Sequence, residues 1–166
     1  MKNHKTTIIF DLDETVINSS HRTPNKEDGT LDLDAYRASH TQENVAKDTL
    51  LPLARAMQHY IAQGYRVVIL TARDMAAFDY AFLLLNGISP KHIYSRDKCK
   101  TKKHYNMSDG AYKVEWFRKM PKSIRNGHCI MFDDAKSVKK AMREIGVTCL
   151  CAHKVNKRLY TEERQK

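Results

Sequence analysis

Two aspartates two positions apart, Asp11 and Asp13, close the apolar run TTIIFDL, and a second acidic pair, Asp133-Asp134, closes HCIMF. Thr71 ends RVVILT, and Lys113 lies in a helical pattern between these runs. A carboxylate at the end of a buried strand is costly without a partner, so these acids read as functional groups. The set suits phosphoryl transfer. Asp11, the backbone carbonyl of Asp13 and a carboxylate from Asp133 or Asp134 would form an all-oxygen site for Mg2+. Such an ion screens a phosphate dianion and lets a carboxylate approach it. Asp11 then reads as the nucleophile and Asp13 as the acid/base. Thr71 and nearby amides would hold phosphate oxygens, and Lys113 would neutralise nucleophile and phosphate together. Residues i and i+2 of a strand point to opposite faces. Asp11 and Asp13 can therefore cooperate only if the chain curls after the first, and Glu14-Thr15 is the place for that.

These residues need a scaffold that brings strand ends together. Five β-rich runs (6–12, 66–71, 91–94, 128–132 and 146–152) alternate with helical patterns. The first helix starts at Pro52, a residue tolerated in a first turn, and stops at Gly64. Others cover Met75–Leu85, Asp109–Met120 with Asp109 at the N-cap, and Ala135–Ile145. From Asn156 the tail reads as a short or frayed helix. Alternating strands and helices predict an α/β, Rossmann-like three-layer sandwich with a central parallel sheet. Ligands of such sheets bind at the carboxyl ends of the strands, where the acids fall. The polar segment 19–48 fits neither period and is too long for a plain connection, so it reads as a small cap or flap after the first strand. The 166 residues are read as one unit.

The charge balance is basic: 29 Lys+Arg against 19 Asp+Glu, a formal +10. That favours polyanionic partners such as a phosphorylated nucleic-acid end or a nucleotide. No apolar run approaches the ~20 residues of a membrane span, and the N-terminus shows no leader pattern, which predicts a cytoplasmic protein. No protein partner is predicted. Cys99, Cys129, Cys149 and Cys151 lack metal-ligand spacing and read as buried or edge thiols. His21, His40, His59 and His104 are placed on the surface or cap, and Trp116 and Phe117 in the core.

The motifs Asp11-Leu12-Asp13-Glu14-Thr15, Thr71-Ala72-Arg73, Lys113 and Asp133-Asp134, in that order, resemble the four motifs of the haloacid dehalogenase superfamily over nearly the whole chain. The resemblance implies a magnesium-dependent phosphatase with an aspartyl-phosphate intermediate. Arg22, eleven residues after Asp11, Arg73, and Asp109, four before Lys113, are similar to the phosphatase half of phage-type polynucleotide kinase/phosphatases. That similarity implies a polynucleotide 3'-phosphatase with Arg22, Arg73 and Asp109 as substrate contacts. Three features depart from it: Glu14 stands where that family has a small glycine, the stretch between Arg22 and Pro52 is longer than that family's, and no GxxxxGK[ST] loop occurs. The alternatives are a nucleotidase or other small-molecule phosphatase, a phosphoprotein phosphatase (which DLDET also resembles), and an inactive nucleic-acid-binding module.

Overall fold

In the computed structural model residues 6–165 are described. Met1–Lys5, where the sequence shows no leader pattern, and Lys166 lie outside the described residues. Strands β1 (Thr6–Phe10), β4 (Arg66–Leu70), β5 (His92–Tyr94), β6 (His128–Asp133) and β7 (Thr148–Cys151) form one parallel sheet in the order β5-β4-β1-β6-β7. A second ribbon pairs β2 (Ile17–Asn18) antiparallel with β3 (Thr49–Leu50). Helices α1 (Leu33–Ser39) and α2 (Gln42–Val45) lie between the ribbon's strands, and α3 (Pro52–Ala62), α4 (Ala77–Leu85), α5 (Lys102–Tyr105), α6 (Asp109–Lys119), α7 (Lys122–Arg125), α8 (Lys136–Glu144) and α9 (Ala152–Arg164) follow. The expected α/β sandwich is present.

Strand alternation explains the layers. Ile8, Phe10, Val67 and Ile69 point to one face and pack with Leu53, Ala54 and Met57 of α3, Leu83 of α4 and Val155 and Leu159 of α9. Ile9, Val68, Leu70 and Met131 point to the other and pack with Tyr112 and Phe117 of α6 and Val138 and Met142 of α8. β1 and β4 are buried on both faces, which is why they read as continuous apolar runs. The chain winds from β1 towards β5 and then crosses to β6 and β7. The switch point therefore lies between β1 and β6, where open α/β sheets place their ligands.

Several boundaries differ from the sequence expectation. β1 ends at Phe10 rather than at residue 12, because the chain turns immediately after Asp11. The amides of Thr15, Val16 and Ile17 all donate to the Leu12 carbonyl, at 3.2, 2.9 and 2.9 Å. Glu14 takes φ +52, a left-handed conformation unfavourable for a residue with a Cβ. This is the curl that Asp11 and Asp13 required. The N-cap of α6 is Ser108, and Asp109 is its first helical residue. The tail is an ordered helix, not a frayed end: Asn156 is buried, accepts from the Leu53 amide at 2.8 Å and donates to the Thr15 carbonyl at 2.9 Å. It thereby caps α3, whose own N-cap, Leu51, has no polar side chain to do so. The same side chain braces the turn after β1.

The 19–48 segment is rooted on the β2–β3 ribbon and carries α1 and α2. Asp32 caps α1 by accepting from the Asp34 and Ala35 amides, both at 3.1 Å. No helix among the described residues is long and apolar enough to cross a membrane.

Candidate active site

Asp11 follows the last residue of β1, and Asp133 is the last residue of β6, so adjacent strands deliver both to the switch point. Asp133 is fully buried and Asp11 nearly so. Asp134 stands beside them, and the three carboxylates offer oxygens within 4.8 Å of one another. Lys113 reaches them from α6, with Nζ 2.9 Å from Asp11 Oδ1 and 2.7 Å from Asp133 Oδ2. Its side chain is 2 % exposed, so it is a buried cation and not a solvated one.

This cluster has more negative than positive charge. Burial, and then the Asp133 and Asp134 carboxylates, outweigh Lys113 and push Asp11 up to about 8. Asp134 is also raised, by burial and then by Asp133. Burial alone would lower the Lys113 ammonium, but Asp11 and Asp133 hold it above its ordinary range. One lysine against two buried carboxylates and a half-buried third leaves a deficit of positive charge. Hard oxygen donors this close together suit a small divalent cation, so the residues present fit Mg2+. Lys139 donates to the main-chain carbonyls of Asp133, at 3.4 Å, and of Asp134, which fixes the loop carrying these acids.

The side chain of Asp13 does not join this cluster. Burial would raise it, but Arg73, Ser19 and Arg22 together outweigh burial and hold it down at about 2. Arg73 donates to Asp13 through Nε at 3.1 Å and through Nη2, and to Asp79 through Nη1 at 2.8 Å. Ser19 Oγ donates to Asp13 at 2.8 Å. Arg22 is paired with buried Asp48 through Nε at 2.9 Å and Nη2 at 2.8 Å, and lies 4.0 Å from Asp13. Arg22 and Arg73 were expected to stand ready for substrate; the structure instead buries both in a network with carboxylates. Arg22 Nη1 is the exception, a buried donor with no hydrogen-bond partner among the described residues.

Thr71 follows β4, and its buried hydroxyl accepts from the Arg73 amide at 3.1 Å. Asp109 is not brought to either group of charges. Its exposed carboxylate pairs with Arg96 at 2.6 Å at the start of α6.

Sequence reasoning missed Tyr36, Asp48 and Asp79 and the partner of His40. His40 lies in the cap, one of the two places expected for it: its side chain is 14 % exposed and its Nε2 lies 2.8 Å from Asp79 Oδ2. Tyr36 of α1 stacks on His40 with ring centroids 6.5 Å apart and lies 5.7 Å from the Arg22 guanidinium. Burial pushes its hydroxyl up to about 12. One signal was available: Asp79 is a lone charged residue in the helix AFDYAFLLL, which demands a partner. Nothing in the segment 19–48 marked Tyr36, His40 or Asp48, because their partners are remote in sequence. All four cysteines are free thiols, as expected; Cys129 and Cys149 are buried.

The whole chain, residues 1–166, matches the family model described as bacteriophage T5 5'-deoxynucleotidase. The chain belongs to that family. A curated relative, the 5'-deoxynucleotidase of Escherichia phage T5, is 32 % identical over 165 residues, covering 90 % of this chain and 68 % of its own. Among solved structures, a chain of the Pnkp1/Rnl/Hen1 complex superposes with a TM-score of 0.65 at 21 % identity, covering 91 % of this chain. This chain spans about half of that one, 47 %. A haloacid dehalogenase-like hydrolase from Streptococcus pneumoniae superposes with a TM-score of 0.59 at 17 % identity, over 88 % of this chain and 83 % of its own. The fold of this family member is thus haloacid dehalogenase-like, and the chain is a phosphatase-type hydrolase, as the motifs implied.

Proposed function

We propose that the protein is a magnesium-dependent 5'-deoxynucleotidase that carries the phosphoryl group on Asp11. The observation that carries this reading is the buried group of Asp11, Lys113 and Asp133 at the switch point, in a chain of this family. Asp11, Asp133, Asp134 and the Asp13 carbonyl would hold Mg2+, which would supply positive charge to offset the repulsion between a carboxylate and the substrate phosphate.

The chain's own residues divide the work. Asp11 forms a bond to phosphorus as the bond to the leaving 5'-oxygen breaks. Lys113 holds charge on Asp11 and the phosphoryl group, and Thr71 takes a phosphate oxygen. Asp13 gives a proton to the leaving oxygen, then takes one from the water that hydrolyses the aspartyl-phosphate, which returns free Asp11 and inorganic phosphate. In the resting site Asp13 is an anion bound by Arg73. The acid step therefore requires Asp13 to take up a proton from solvent, which it can do once Arg73 loosens its hold. The phosphate of an arriving substrate is the competing anion. The unpartnered Arg22 Nη1 is a second donor for it.

The test is phosphate release with magnesium from deoxynucleoside 5'-monophosphates, a 3'-phosphorylated oligonucleotide and a phosphoserine peptide, with Asp11→Asn as control. Release from the monophosphates alone is expected. Equal release by Asp11→Asn would refute the nucleophile assignment. A second reading, a polynucleotide 3'-phosphatase, is favoured by the formal charge of +10. It requires release from the oligonucleotide and a steep loss of affinity with salt, whereas a mononucleotide would respond weakly.

A further inference from the structure

A cavity of about 430 Å³ lies between α6 and the 96–107 loop, and none of its lining residues belongs to the two groups of charges above. Trp116, Tyr112 and Met107 form its floor and Lys100 and Lys119 its rim; Lys98 also lines it, but its ammonium donates to the Ile93 carbonyl at 2.9 Å. The geometry points to a second binding site here for a nucleotide, with the base against Trp116 and the phosphate on the lysine rim.

Three observations carry it. The cavity is preformed, because Arg96 pins the loop to α6. It donates to the Tyr105 carbonyl at 2.6 Å, the Met107 carbonyl at 2.9 Å and Asp109 at 2.6 Å, and lies 4.6 Å over the Tyr112 ring. The floor is aromatic, with Tyr112 and Trp116 one helical turn apart and ring centroids 6.4 Å apart. Half-buried Trp116 leaves an indole to stack on, and the buried Tyr112 hydroxyl has no hydrogen-bond partner among the described residues. The rim is cationic: Glu115 is the one acidic side chain lining the cavity, already 2.9 Å from Lys119. Lys100 forms no ion pair among the described residues. An apolar aromatic slot with cations at its mouth selects a planar ring that bears an anion. The volume lies within the range of sites for ligands of nucleotide size.

This site stands or falls independently of the proposed reaction. Trp116 is the only tryptophan of the chain, so intrinsic fluorescence reports on this cavity directly. The experiment titrates Asp11→Asn protein with dAMP in EDTA, so that nothing is hydrolysed, and compares deoxyadenosine and orthophosphate. Saturable quenching by dAMP is expected, with either fragment at least roughly tenfold weaker. The pair Lys100→Glu and Lys119→Glu should weaken dAMP by roughly tenfold or more, as for a lost charge-assisted contact. A charge-matched pair outside the cavity, Lys26→Glu and Lys140→Glu, should leave it unchanged. Unchanged binding in the rim variant, equal weakening in the control pair, or equal binding of deoxyadenosine would each overturn the assignment. Hydrolysis assays with Asp11 intact read the reaction separately; there the rim variant should keep the wild-type KM.

Discussion

The molecule buries two groups of charges side by side, and they are built on opposite principles. Around Asp11, three carboxylates face one lysine, and Asp11 and Asp134 are forced towards protonation. Around Asp13, the guanidiniums of Arg22 and Arg73 interleave with Asp13, Asp48 and Asp79, and Asp13 and Asp79 are held ionised. The first group carries uncompensated negative charge, whereas the second is nearly self-neutral. A deficit of charge makes a binding site. Compensated charge makes a positioning device, because each carboxylate fixes the guanidinium that fixes its neighbour.

The contrast is sharpest in activity. Asp11→Asn should lower kcat by about a thousandfold or more in a phosphate-release assay. The same substitution should leave the metal-free protein no less stable, since it removes one of three mutually repelling acids. In the compensated network the expectation reverses. Arg73→Ala should cost about 3 kcal/mol in urea unfolding, because it leaves half-buried Asp13 without its guanidinium and buried Asp79 with His40 as its one remaining charged partner among the described residues. A similar stability for both variants would break the comparison.

Added magnesium should raise stability by about 2.7 kcal/mol at a hundredfold excess over Kd, measured by thermal unfolding, and by much less in Asp133→Asn. Asp48→Asn in the other network should retain the full response.

The pH dependences should have opposite signs. Asp11, raised to about 8 from an ordinary value of 3.8, binds a proton in the folded chain that the unfolded chain has lost. In the metal-free protein its contribution to stability is therefore present below pH 4 and lost as pH rises towards 8. Asp13, lowered to about 2, contributes above pH 4, and that contribution is lost as pH falls towards 2. Unfolding midpoints across pH for Asp11→Asn and Asp13→Asn should each flatten one limb. The smallest effect is expected at the turn that separates the two groups. Glu14→Gly relieves a left-handed φ but loses the 3.1 Å contact from the Ser19 amide, so stability should stay within about 1 kcal/mol of the original.

How much of this was legible depends on the range over which each signal acts. Asp11, Thr71, Lys113 and Asp133-Asp134 could be read because each sits at a fixed place relative to an apolar strand or helix. Strand 66–70 and helix 52–62 were readable for the same reason. Boundaries shifted where the chain satisfies a polar group across the fold, as with Asn156 capping α3 from 103 residues away. Asp109 kept its spacing to Lys113 but lies at the helix start, where Arg96 takes it out towards solvent.

The sequence by itself determined the α/β order, the acids at the strand ends and the phosphatase chemistry they suit, because hydrophobic period and strand-end position are local properties. Only the tertiary structure decided which charges are compensated. Arg22 and Arg73 look like free substrate cations in one dimension, yet Asp48 and Asp79, 26 and 6 residues away, take their donors. Whether a buried charge is available for chemistry depends on the sum of its neighbours in space.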